Sequence, residues 1–252
     1  SAENNGINDS SQTSVDTSAN SPNAGTQDVE CSYAYDAFND SASVDMQSWA
    51  RWSCDGTERT LTANGIPDHS VGIFPNSGNP NTISTQSVSA AFTLNPETTS
   101  TSTTMGGPRG VTGYILNGVK IDAGTAGTCS DNGTSCAMAP PMLGSWSIEA
   151  LGQTSFNFGD DENHAHVQPT GAYHYHGIPE GFVTKLNKGV AMTHIGWAAD
   201  GFPIYARYGY SDAMDASSEV ITIQSSYQLK TTSDPNRADD SLYPMGTFRQ
   251  DY

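Results

Sequence analysis

The strongest constraint on how this chain can fold is the way glycine and proline cut it into short pieces. Its 252 residues include 25 Gly and 13 Pro, and one or the other interrupts nearly every apolar stretch before a helix of ordinary length could form. Between the interruptions, apolar residues recur at every second position. Val88, Ala90, Phe92 and Leu94 follow this pattern, as do Val44 to Trp49, and Val220, Thr222 and Gln224 against Ile221 and Ile223. A period of two is that of a strand whose side chains point alternately to two faces. Tyr114-Ile115-Leu116 runs into Asn117-Gly118, a hairpin-type turn signal. Helical periodicity is confined to Phe182–Leu186, enough for a turn or two. The pattern predicts an all-β or β-rich fold: a sandwich or twisted antiparallel sheet with long irregular loops. No repeat of fixed period is present, which argues against propellers and solenoids.

Residues 1–29 are mostly Ser, Asn, Thr, Ala, Gly and Asp, with no aromatic side chain. Such a stretch buries too little apolar area to offset its ordering entropy, so a disordered leader or linker is expected there, with a single domain over 30–252. The leader would suit a tether, through a removed N-terminal segment carrying a lipid. A second polar run, Thr98 to Thr104 before Gly106-Gly107-Pro108, reads as a surface loop.

Charge narrows the partners. Ten Lys and Arg against 27 Asp and Glu give 10 − 27 = −17. The few bases form no stripe that could neutralise a phosphate backbone, so nucleic-acid binding is not expected. No apolar run approaches the roughly 18 residues of a membrane helix, so no membrane span is expected.

Four cysteines, Cys31, Cys54, Cys129 and Cys136, form no C-x2-C pair of the structural zinc kind. The loop from Cys129 to Cys136 turns through Asp131-Asn132-Gly133 and can close as a disulfide, which would leave Cys31 for Cys54. Sequence alone allows three connectivities. Disulfides imply an oxidising compartment, and the expected location is exported: periplasmic, cell-surface or extracellular.

The chemistry concentrates in six histidines: His69, His164, His166, His174, His176 and His194. Four form two H-x-H pairs, His164-Ala165-His166 and His174-Tyr175-His176. On a strand, residues i and i+2 share a face about 6.5–7 Å apart, so two imidazoles can converge on one ion while Tyr173 and Tyr175 take the opposite face. His194 can complete a three-histidine site with a fourth position left for water; alternatively His164 and His166 complete an all-histidine one. Imidazole donors suit Zn²⁺ or Cu²⁺ rather than Ca²⁺ or Mg²⁺. Asp160, Asp161 and Glu162 are placed to act as ligands or to hold an imidazole tautomer.

Three functions are compatible with this set. The first is a metal-dependent hydrolase with Asp200 or Asp161 as the base. The second is a non-enzymatic copper or zinc capture or delivery protein. The third is a metal-free lyase or hydrolase acting on an extracellular polymer, with His174 or His176 as base, Tyr173 as acid and Arg207 neutralising charge. A metal ion is the expected cofactor in the first two; the substrate is not readable.

Gly171-Ala-Tyr-His-Tyr-His-Gly177, followed by His194-Ile-Gly-Trp-Ala-Ala-Asp-Gly-Phe-Pro-Ile-Tyr205, resembles the signature of bacterial YHYH-domain proteins. Asn64-Gly-Ile-Pro-Asp-His69, Phe74-Pro-Asn76, Asn79-Pro80 and Leu116-Asn-Gly-Val119 are similar to that family's upstream segments, so the resemblance spans about residues 38–252. It implies export and a functional histidine-rich core. By motif it puts at issue His69, Tyr173, His174, Tyr175, His176, His194, Asp200 and Tyr205. Family sequences usually continue past the equivalent of Asp251-Tyr252; a strand or ligand contributed by such a continuation would complete the site inferred here.

Overall fold

The structure is a computed structural model that describes residues 31–102 and 110–252. The expected leader at 1–29 and the end of the polar loop at 103–109 lie outside the described residues. In chain order the strands are β1 (Ala34–Asn39), β2 (Met46–Cys54), β3 (Glu58–Ala63), β4 (Val88–Thr93), β5 (Val111–Ile115), β6 (Lys120–Asp122), β7 (Thr128–Cys129), β8 (Cys136–Ala137), β9 (Trp146–Ser147), β10 (Ala165–Val167), β11 (Tyr173–Tyr175), β12 (His194–Ala198), β13 (Pro203–Tyr205), β14 (Tyr208–Tyr210) and β15 (Val220–Thr222). The one α-helix among the described residues, α1 (Glu180–Leu186), ends where Asn187 turns left-handed and its N–H closes on the Thr184 carbonyl.

The fold is β-rich, as the alternation predicts. Strands β1 to β4 form an antiparallel meander. A six-stranded sheet follows in the order β10-β11-β6-β5-β12-β13. Its pairings are antiparallel except one: β6 runs parallel to β11, with Ile121 opposite Tyr175.

Period-two burial sets the faces. In β2, Ser48, Ala50 and Trp52 point inward while Gln47, Arg51 and Ser53 point out. The inward faces of the two large sheets share one core, with Ala50, Trp52, Leu61 and Phe92 from the first and Ile115, Tyr173, Tyr175 and Trp197 from the second. Each fully buried large apolar side chain contributes about 1.5–3 kcal/mol. Polar bonds also cross the seam: Trp52 Nε1 donates to the Leu116 carbonyl at 2.9 Å, and the buried Arg59 guanidinium lies 3.3 Å from the centroid of the Trp197 ring.

The Asn117-Gly118 turn between β5 and β6 presses into this seam. Gly118 has φ +80°, and a Cβ there would sit 2.3 Å from Ala63 Cβ, so glycine is required on both counts. A second, smaller core gathers Cys129, Trp146, Ile148, Phe158, Ala238 and Phe248. Beside it, buried Arg237 pairs with buried Asp251 at 2.6 Å.

Of the three cysteine connectivities, the chain uses Cys31–Cys54 and Cys129–Cys136. The second closes the β7–β8 hairpin, where the two residues are register partners. No helix among the described residues is long and apolar enough to cross a membrane.

Candidate metal centre

Strand β11 sorts its side chains by parity. Tyr173 and Tyr175 face the core. The Tyr173 hydroxyl donates to Asp161 Oδ2 at 2.8 Å. The Tyr175 hydroxyl accepts from Asn117 Nδ2 at 2.9 Å and shares a 2.5 Å hydrogen bond with His69 Nε2. Burial pushes both phenols well above their ordinary pKa.

His174 and His176 take the other face, their ring centroids 4.8 Å apart. The third member comes from β10. Antiparallel pairing lays His166 directly opposite His174, and its ring centroid lies 4.6 Å from that of His174 and 4.8 Å from that of His176. One ring nitrogen from each of the three lies within 4.8 Å of the others.

Strand β10 is held in place by asparagines distant in the chain. Asn79 and Asn81 both donate from Nδ2 to the Val167 carbonyl, at 3.0 and 2.7 Å, and Asn76 donates to the Gly159 carbonyl at 2.9 Å. The Asn76 and Asn79 strings thus fix the segment that presents His166.

Hydrogen-bond partners assign the tautomers. His166 Nδ1 hydrogen-bonds the Phe158 carbonyl at 3.1 Å, so Nδ1 carries the proton and Nε2 the lone pair, and Asp160 Oδ1 lies 2.6 Å from the same nitrogen as a close charge neighbour. His174 Nδ1 faces the Ala172 carbonyl at 3.2 Å, which leaves its Nε2 lone pair free as well. His176 Nε2 stands 3.2 Å from His166 Nε2. A tetrahedral ion with Zn–N of 2.0–2.1 Å needs donor nitrogens about 3.3 Å apart, so this pair already matches.

Two of the rings are also held neutral. Burial, followed by repulsion from its neighbouring histidines, holds His174 well below its ordinary pKa. Burial and then His166 lower His176 to about 4. Uncharged imidazoles are the form that binds metal. The donor set and its spacing therefore fit Zn²⁺ or Cu²⁺.

A carboxylate that sequence reasoning missed lies against this cluster. Asp122, at the end of β6 and buried, has Oδ2 at 3.7 Å from His174 Nε2. Lys120 Nζ holds both its oxygens, at 2.9 and 2.7 Å, and Gln168 Nε2 donates to Oδ2 at 2.7 Å. Burial raises the Asp122 pKa, against the lowering effect of Lys120. Only the parallel β6–β11 pairing, a long-range event, would have revealed it.

The remaining candidates lie elsewhere. His194, on β12, is separated from β11 by β6 and β5, three strand spacings or roughly 14 Å. Its ring packs on Trp197 and Tyr205. His164 does not share a strand face with His166. It precedes β10 with φ 56°, and its Nδ1 bonds the Ile178 carbonyl at 2.8 Å. His69 sits behind the tyrosines, with Nδ1 bonded to the Ser70 carbonyl at 2.8 Å. Asp161 is committed to the Gly72 amide (2.9 Å), the Asn163 amide (2.9 Å) and Tyr173. Asp200 is exposed in the turn after β12, and Tyr205 is exposed on the edge strand β13. Arg207 pairs with Glu180, and Glu162 is exposed.

The chain matches no curated protein and no solved structure significantly. Residues 89–252, which include the three clustered histidines together with Lys120, Asp122 and Gln168, match the family model described as YHYH protein, and the chain belongs to that family.

Proposed function

We infer that this is an exported metal-binding protein that holds one Zn²⁺ or Cu²⁺ between β10 and β11 on His166, His174 and His176. The observation carrying this reading is the convergence of one ring nitrogen from each of three histidines within 4.8 Å. Burial supports retention: His174 is 2% and His166 9% exposed, so an ion there would be shielded from competing water. The Phe158 carbonyl on the far nitrogen of His166 orients that ring, with the Asp160 carboxylate close by. Two disulfides fit an oxidising compartment outside the cytoplasm.

The number of donors favours a second reading, a metal-dependent hydrolase. Three imidazoles are the protein share of a catalytic zinc site, which leaves a position for a reactant. When bound, the ion would supply Lewis-acid polarisation and lower the pKa of water toward about 7. The chain's own residues would orient the imidazoles through the Phe158 and Ala172 carbonyls. Asp161, Tyr173, Asp200 and Arg207 have the partners or positions described above, so proton movement would fall to groups beside the triad.

Elemental analysis after loading with Zn²⁺ or Cu²⁺ and desalting tests the reading. Wild-type protein and His194→Ala should retain close to one ion per chain, and His174→Ala should retain almost none. Equal retention by His174→Ala and wild type would sink it. In that case the 3.2 Å contact would be a His176-to-His166 N–H···N bond of a metal-free site.

A further inference from the structure

We propose that Asp122 is the fourth donor of the histidine site and that Lys120 is its built-in counter-ion, competing with the metal for the carboxylate. This rests on the three-histidine reading and specifies what fills the remaining position.

Register is the first argument. Ile121 is paired with Tyr175 across the parallel β6–β11 ladder. Side-chain parity then puts Lys120 and Asp122 on the face that carries His174 and His176. The carboxylate is therefore delivered to the cluster by the sheet itself, beside both histidines.

Distance is the second. Asp122 Oδ2 lies 3.7 Å from His174 Nε2, within about 0.4 Å of the separation that two donors adopt around one tetrahedral ion. A small side-chain rotation, with no change in strand pairing, would bring that oxygen to the ion.

Charge is the third. Three neutral imidazoles leave a buried divalent ion with its full charge, and a carboxylate removes half of it. Without metal, the same carboxylate would be a buried anion, which is costly unless paired. Lys120 supplies the pairing, and its grip is divided: Nζ bonds Oδ1 at 2.9 Å and Oδ2 at 2.7 Å. It can keep Oδ1 while Oδ2 turns to the metal, with Gln168 released from Oδ2 or retained on its second lone pair. Lys120 thus stabilises the empty site and, once the ion enters, repels it. The arrangement sets the affinity below what His₃Asp ligation alone would give, and it makes the site a closed one suited to holding and releasing an ion.

The test uses the whole chain, with Zn²⁺ affinity from chelator competition and the visible spectrum of the Co²⁺-loaded protein. Asp122→Asn keeps the volume and the Gln168 contact but is a far poorer donor. It should weaken Zn²⁺ binding about 10–100-fold and alter the Co²⁺ ligand-field bands, while His174→Ala abolishes binding. Lys120→Gln should tighten Zn²⁺ binding on the order of tenfold, and it decides the matter if Asp122→Asn fails to fold. Wild-type affinity and bands in Asp122→Asn, or unchanged or weaker binding in Lys120→Gln, would overturn the proposal and leave the three-histidine site standing. Full metal retention by His174→Ala would instead remove the reading beneath it.

Discussion

At the scale of single residues, the site depends on keeping imidazoles uncharged in a buried place. His176 is lowered to about 4, and His174 lies well below its usual value, chiefly through burial. In the unfolded chain both return to about 6.5. Below that pH the unfolded state takes up protons that the folded state refuses, so the metal-free protein loses stability as pH falls from about 6.5 toward 4. The loss is about 1.4 kcal/mol per pH unit for each such histidine. Asp122, whose pKa is raised, works in the opposite sense, since it takes its proton in the folded state first. Urea titrations of metal-free protein at pH 7, 6 and 5 should give a falling midpoint, and His176→Gln should flatten that slope. A midpoint independent of pH would show that these rings are not held neutral by the fold.

At the scale of elements, the parity of β11 was legible in the sequence and its neighbours were not. Tyr-His-Tyr-His spells an alternating strand, and the tyrosines and second pair of histidines do take opposite faces. The same i, i+2 rule fails at His164, because it sits before β10 in a left-handed turn rather than on the strand. His194 is a plausible partner by spacing, yet sheet order places β6 and β5 between β12 and β11. Strand order is fixed by long-range packing, which no local pattern encodes. Asp122 illustrates the same limit: nothing local in Lys120-Ile121-Asp122 marks a site until β6 is seen beside β11. The Asn117-Gly118 turn, by contrast, was readable, and it has a second role in the seam between sheets. Gly118→Ala adds a Cβ at positive φ and 2.3 Å from Ala63 Cβ. It should cost about 2–4 kcal/mol, combining backbone strain with overpacking. Chemical denaturation measures this, and a loss under 1 kcal/mol would mean that the sheets are not packed as closely as described.

At the scale of the whole molecule, long loops and short strands are organised around one large shared core and a smaller second one, and the metal centre lies at the edge of the six-stranded sheet, on β10 and β11. Asparagines in the 76–81 segment fix β10 from one side, and the Phe158 carbonyl steadies His166 from another. The β6 strand brings Asp122 and Lys120 from the middle of the sheet. Two disulfides close the β1–β2 end and the β7–β8 hairpin, giving a scaffold that suits an oxidising environment. Anomalous scattering from crystals soaked in Zn²⁺ or Cu²⁺ tests the central claim most directly. The account predicts one strong peak about 2.0–2.1 Å from the Nε2 atoms of His166, His174 and His176. A peak at His194 or His69 instead, or none at the triad after both soaks, would contradict it.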